Sequence, residues 1–217
     1  GWNAEAFGVS SVGGWNKDDK NPVPEETRKF LAEMNGVRGL NNGVALNTNL
    51  CMSNPKVRTT MATYIADYAQ QATNVDYLHV WLADGSRNHC ECEECRKMIP
   101  SDYYLMIMNE LDEMLTAEGL DTRIVFIFYK DTMWAPLETT IKNPKRFSML
   151  LGAISRSYTG RTETLDALRL LAGIPMEISV PEEQLLDHII GNPALYTEAA
   201  DHTGAANLIV VSSYISE

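Results

Sequence analysis

Two stretches of this chain repeat apolar side chains at helical spacing, and two others gather them into short unbroken runs. Downstream of Ser53-Asn54-Pro55, residues Val57, Met61, Tyr64, Ile65 and Tyr68 recur every three or four positions, which is one face of an α-helix. Asn54 suits the capping position and Pro55 the first helical one. A second helical stripe carries Tyr104, Ile107, Met108, Leu111 and Leu115. Ser101 is its expected cap, Asp102 favours the positive helix end, and Gly119 closes it. Between and after these stripes, Tyr77 to Leu82 and Ile124 to Tyr129 read as buried strands.

Weaker signals extend the alternation. Residues 5–12 and 44–49 read as strands, and Pro24-Glu25-Glu26 opens a short helix with Phe30, Leu31 and Met34, closed at Asn35-Gly36. Phe147 to Leu151, Met176 to Val180 and Leu208 to Val211 complete the expected strands. Helices are expected from Thr162 to Gly173, from Pro181 to Ile190, and after Asn192-Pro193. Strands that alternate with helices predict an α/β fold with a mostly parallel sheet. A (β/α) TIM-barrel-like fold, complete or partial, satisfies the pattern, and so does an open parallel sheet with helices on both faces. The chain reads as a single α/β domain or a fragment of one over residues 1–217.

Charge narrows the function. The 217 residues include 18 basic and 29 acidic ones, a net charge of −11. Such a chain repels phosphate backbones and anionic lipid surfaces, so no nucleic-acid or membrane partner is expected. No apolar run reaches the ~18 residues that a membrane span needs. The chain opens Gly1-Trp2-Asn3 without a methionine or a signal-peptide pattern, which suggests a processed chain or an excised piece, with a secreted or periplasmic location. Motif absences narrow it further. There is no glycine-rich nucleotide fingerprint, no Gly-x-Ser-x-Gly elbow and no His-Glu-x-x-His.

The four cysteines are the most specific signal. Cys90, Cys92 and Cys95 fall within six residues, and Cys51 lies upstream. Both groups occupy expected strand-to-helix loops, and neighbouring parallel strands run ~5 Å apart. All four sulfurs can therefore meet. Four thiolates suit a closed, structural Zn²⁺ site. Disulfides in an oxidising compartment, or free thiols, remain open beside it. Glu91, Glu93 and Glu94 add negative charge next to the thiolates and count against a metal. His89 adjoins the group and can replace one sulfur or serve only as a loop residue.

Acidic residues at expected strand ends form a second group: Asp84, Glu5 and Asp131. Glycosidases use two carboxyl groups, ~5–5.5 Å apart for retention and ~6.5–9.5 Å for inversion. Asp84 ends the Trp81 run and precedes Gly85, although an Asp-Gly pair also suits an ordinary turn. Asp84 and Glu5 are the expected catalytic pair, with Asp131 on the binding side. Aromatic faces stack on pyranose rings, so Trp15, Trp134 and Tyr129 are candidate sugar contacts. Core packing is the favoured role for Trp81 and Tyr129, whereas Trp15 and Trp134 lie in expected loops and are the better candidates.

The order Asn49-Leu50-Cys51-Met52-Ser53-Asn54-Pro55, Val80-Trp81-Leu82-Ala83-Asp84-Gly85, Cys90-Glu91-Cys92-Glu93-Glu94-Cys95, Ser101-Asp102-Tyr103 and Asn109-Glu110 resembles a bacterial domain family of unknown function, number 4838. Ala4 to Gly8 and Ile124 to Asp131 share the likeness, which covers residues 1–158; residues 159–217 resemble nothing recognised. The resemblance implies a glycosidase-like barrel and a carbohydrate-related role. Family-20 hexosaminidases, fold-level relatives, carry an Asp-Glu pair at a strand end; here Gly85 follows Asp84, so that pair is absent.

The expected function is that of a glycoside hydrolase-like domain on a polysaccharide or oligosaccharide, with a structural zinc site. A non-catalytic sugar-binding or scaffold domain is the second reading. A thiol redox protein is the third, opposed by the neighbouring glutamates, because reactive cysteines need electropositive surroundings.

Overall fold

The computed structural model describes residues 5–9, 23–132, 134–152, 177–181 and 208–211, with the last two segments and residues 151–152 described as backbone. Helix α1 spans Glu25–Arg28. A small hairpin follows, with β1 at Glu33–Met34 and β2 at Val37–Arg38. Helix α2 spans Pro55–Gln71, β3 Tyr77–His79, α3 Pro100–Ala117 and β4 Arg123–Tyr129. Strands β5 (Phe147–Gly152), β6 (Glu177–Pro181) and β7 (Leu208–Val211) complete the described elements.

The expected α/β class holds. Strands β3 to β7 lie side by side in chain order, and each runs parallel to its neighbour. Among the described residues the sheet does not close on itself. Parallel neighbours need a long crossover between them. Helix α3 supplies it between β3 and β4, because it lies between them in sequence and packs on the sheet.

Both long helices form as their stripes predict. Asn54 Oδ1 accepts the N–H of Lys56 at 3.0 Å, and Pro55 takes the first helical position. Val57, Met61 and Ile65 of α2 are buried with Ile107, Leu111 and Leu115 of α3. Gly119 ends α3 with φ +70°, which a Cβ would oppose. Strand β4 alternates, with Ile124, Phe126 and Phe128 fully buried and the residues between them half-buried. Its inward rings meet Tyr104 of α3 with centroids 5.6 and 5.9 Å apart. Replacing a residue such as Leu111 by Ala is expected to cost roughly 2–5 kcal/mol.

The start of α3 differs from expectation by two residues. Ile99 holds the capping position, and Ser101 and Asp102 lie fully buried in the first turn. Asp102 is used elsewhere: its Oδ1 accepts the N–H groups of Glu138 and Thr139, each at 2.8 Å, and so ties the loop after β4 to α3. Near the other end of α3, Arg146 pairs with Asp112 at 2.7 Å and donates to the carbonyls of Leu120 and Thr122. Arg146 thereby fastens the loop between α3 and β4 to the helix.

The first fifty residues depart furthest from the pattern. No strand forms over the described part of residues 5–12; Gly8 instead donates to the carbonyl of Glu5 in a turn. The short helix stops at Arg28, and Leu31 forms an isolated bridge with Leu50. Asn35-Gly36 does not end that helix. It turns the β1–β2 hairpin, with φ of 51° and 77°, and paired positive φ values suit an Asn-Gly two-residue hairpin turn. Residues 44–49 form short 3₁₀ turns rather than a strand. The helices expected after Thr162, Pro181 and Asn192 lie outside the described residues.

Candidate functional site

The carboxyl ends of β3 and β4 lie side by side, and each chain turns there. After β3, Val80 and Ala83 are buried while Trp81 faces outward, 43% exposed. Trp81 is therefore not the core residue its apolar run suggests; period-two alternation puts it opposite Val80. Asp84 follows, with Gly85 at φ +113°. Two buried amides hold this turn. Asn49 Oδ1 accepts the N–H of Ala83 at 3.2 Å, and Asn49 donates to Asn88 Oδ1 at 3.1 Å. Asn88 in turn donates to the carbonyls of Asn47 and Asp84. Sequence reading missed both amides, since an asparagine in a polar loop carries no sign of burial.

Strand β4 ends at Tyr129. Its phenol donates to Asp84 Oδ1 and accepts the N–H of Gly85 at 3.1 Å. Burial first, then Asp84, raises the phenol above its ordinary value, so it stays protonated. Two residues on, Asp131 Oδ2 accepts the backbone N–H of Arg87. Asp84, Tyr129 and Asp131 are thus gathered on one edge. Glu5 is placed elsewhere and accepts from Tyr64 of α2 at 3.4 Å. Trp134 is exposed, at 67%, in the loop beyond β4. Trp15 lies outside the described residues.

Next to this edge is a cleft of about 400 Å³. Leu50, Met52, Leu82 and Met98 give it apolar walls; Arg87, His89, Arg96 and Asp131 give it polar ones. Arg87, three residues after Asp84, and Asp131 join the cleft to that edge. Burial lowers the His89 pKa, partly opposed by the charge of Asp131. Cys90 and Cys95 also reach the cleft wall.

All four cysteines meet as expected, although the strand expected before Cys51 does not form and an isolated bridge of Leu50 to Leu31 places it instead. Their sulfurs lie within 4.8 Å of one another and could hold a metal ion. Cys51 Sγ is 3.7 Å from Cys92 Sγ and 3.9 Å from Cys95 Sγ. A tetrahedral ion with ~2.3 Å sulfur bonds has sulfur–sulfur edges of about 3.8 Å. A disulfide requires about 2.05 Å, and all four thiols are free. Hydrogen bonds from Cys90 and Cys95 push the Cys51 thiol down, while the same contact with Cys51 pushes Cys95 up.

The surroundings of the sulfurs suit negative charge. The N–H of Glu33 points to Cys90 Sγ at 3.3 Å, and the N–H of Ser53 to Cys95 Sγ at 3.4 Å. Arg38 Nη1 lies 3.8 Å from Cys90 Sγ. Two of the three neighbouring glutamates have partners of their own: Glu91 Oε2 accepts the N–H of Asn35 at 2.9 Å, and Glu94 pairs with Lys97. The β1–β2 hairpin thus folds over the cluster, and its arginine offsets part of the thiolate charge.

Residues 3–161 match the profile of a family described as a domain of unknown function, DUF4838. No curated protein and no solved structure matches the chain.

Proposed function

The chain belongs to the DUF4838 family, whose description assigns no activity, and we propose that it is a carbohydrate-active, glycoside hydrolase-like domain of the (β/α)-barrel type with a structural zinc site. One observation carries this reading: Asp84, Tyr129 and Asp131 stand together on the carboxyl edge of adjacent parallel strands. In barrels of parallel strands, chemistry gathers on that edge. The strand order β3-β4-β5-β6-β7 is also the order in which such a barrel winds.

Asp84, held by the Tyr129 phenol, serves as the carboxylate that stabilises oxocarbenium-like charge. Asp131 is the better-placed second carboxyl group, because Glu5 contacts α2 instead. The apolar walls and exposed Trp134 offer faces for pyranose rings. Four thiolates at tetrahedral spacing, with N–H donors around them, favour a closed Zn²⁺ site over a catalytic one. Thiolates held by an ion are not free for thiol redox chemistry.

Asp84→Asn tests the enzyme reading, since it keeps an acceptor for Tyr129 and removes the charge. Hydrolysis of a polysaccharide panel is expected to fall by about a hundredfold or more, with binding retained. Unchanged hydrolysis would remove Asp84 from the chemistry. Binding without turnover in the wild type would favour the second reading, a sugar-binding scaffold; the separation of Glu5 from the Asp84 edge speaks for that alternative.

A further inference from the structure

The described arginines divide into two groups. Arg28 pairs with Glu25, Arg38 with Glu33, Arg58 with Glu110 and Arg146 with Asp112. Arg123 donates to Tyr77 and Ser148. The Arg87 and Arg96 guanidinium groups have no hydrogen-bond or ion-pair partner among the described residues. Both line the same cleft.

Two basic residues thus share one cleft, beside Glu91 and Asp131, on a chain of net charge −11. Arg38 is the arginine in contact with a cysteine sulfur, 3.8 Å from Cys90 Sγ, and no such contact engages Arg87 or Arg96 among the described residues. Arg87 is also held in a costly conformation. Its φ is +55°, its N–H is bound by Asp131, and the next residue, Asn88, is buried and hydrogen-bonded to the turn. Non-glycine residues in that region persist where surrounding structure over-determines them, often at ligand sites. The loop 84–88 is thus fastened at its backbone while one arginine side chain remains uncommitted.

We infer that the cleft takes an anionic saccharide, with a carboxylate or sulfate ester of the sugar received by Arg87 and Arg96. This deepens the carbohydrate reading and rests on it. Planar guanidinium groups bind such oxyanions through paired N–H donors. The apolar walls would meet the ring faces, and Asp131 would accept from ring hydroxyls.

The test compares three probes of equal length by calorimetry on the whole chain: an oligogalacturonide, its carboxyl-reduced neutral counterpart, and a sulfated oligosaccharide. At least one anionic probe is expected to bind about tenfold or more tighter than the neutral one, corresponding to one good charge-assisted contact. The preference should weaken with salt. It should vanish in Arg87→Gln/Arg96→Gln, with an unchanged melting temperature, because neither side chain has a partner to lose. Whichever anion binds tighter identifies the acidic group. Equal affinity for neutral and anionic probes, or a preference that survives the double substitution, would overturn the inference and leave the carbohydrate reading standing. Failure of every saccharide to bind would overturn both.

Discussion

The phenol of Tyr129 donates a hydrogen bond to Asp84 Oδ1 and accepts one from the N–H of Gly85 at 3.1 Å. It therefore joins the end of β4 to the turn after β3, 44 residues apart for the Gly85 bond. One hydroxyl sets where the Asp84 carboxylate stands relative to the sheet.

Tyr129→Phe should release that turn. Loss of the hydroxyl is expected to lower stability by about 1 kcal/mol and to weaken saccharide binding more than a distant tyrosine substitution does. Urea denaturation and calorimetry measure the two effects separately. Undiminished saccharide affinity would show that the Asp84 turn holds itself.

Alkaline pH should expose the same group. Burial, then Asp84, raises the Tyr129 phenol above 10.0, and burial raises that of Tyr104, whose hydroxyl donates to the Val80 carbonyl at 2.6 Å. The folded protein keeps these protons after the unfolded chain begins to release them. Stability from this source is complete below about pH 10 and is lost as pH rises towards the folded values. Denaturation midpoints between pH 8 and 11.5 should be level and then decline, with a shallower decline in Tyr129→Phe.

One ion per chain is expected at the cysteines. Metal analysis should return one zinc, and Co²⁺ substitution should produce the intense visible bands of a tetrahedral thiolate centre. Chelation should lower the melting temperature substantially, since structural zinc sites contribute about 10 kcal/mol or more to folding in small domains. A metal-free chain with blocked thiols would remove the site.

Asn88→Ala should be costly for an exposed-looking loop. It removes the acceptor of the Asn49 amide and the donor to the carbonyls of Asn47 and Asp84, at a fully buried position. A loss of about 1–3 kcal/mol is expected, measured by urea denaturation. A change below about 0.5 kcal/mol would mean that water replaces the amide.

The hairpin over the cysteines can be loosened from a distance. Gly36 has φ +77°, and a side chain there is strained although nothing lies within 4 Å of its Cβ position. Gly36→Ala should cost about 1 kcal/mol and speed metal loss to a chelator, because β1 supplies the N–H that faces Cys90. Equal rates of metal release would uncouple the hairpin from the cluster.

Much of this protein was legible as sequence where the information is local. The stripe from Val57 to Ile65, the cap at Asn54 and the apolar run of β4 each encode their own element through spacing alone. The convergence of Cys51 with Cys90, Cys92 and Cys95 was legible as an outcome, but not its route: only the Cys90–Cys95 loop follows a sheet strand, while Cys51 is placed by the bridge of Leu50 to Leu31 and by its own N–H bond to Phe30. Residues 24–50 were not legible. Asn35-Gly36 serves equally as a helix end or a hairpin turn, and only its packing against Glu91 and Cys90 decides between them. Tertiary structure alone decided that Glu5 meets α2 while Asp131 joins the Asp84 edge, that Asn49 and Asn88 are buried, and that the Arg87 and Arg96 guanidinium groups have no partner among the described residues. Periodicity reports which face of an element is apolar. Which side chains from distant elements meet depends on how those faces pack, and no spacing along the chain records it.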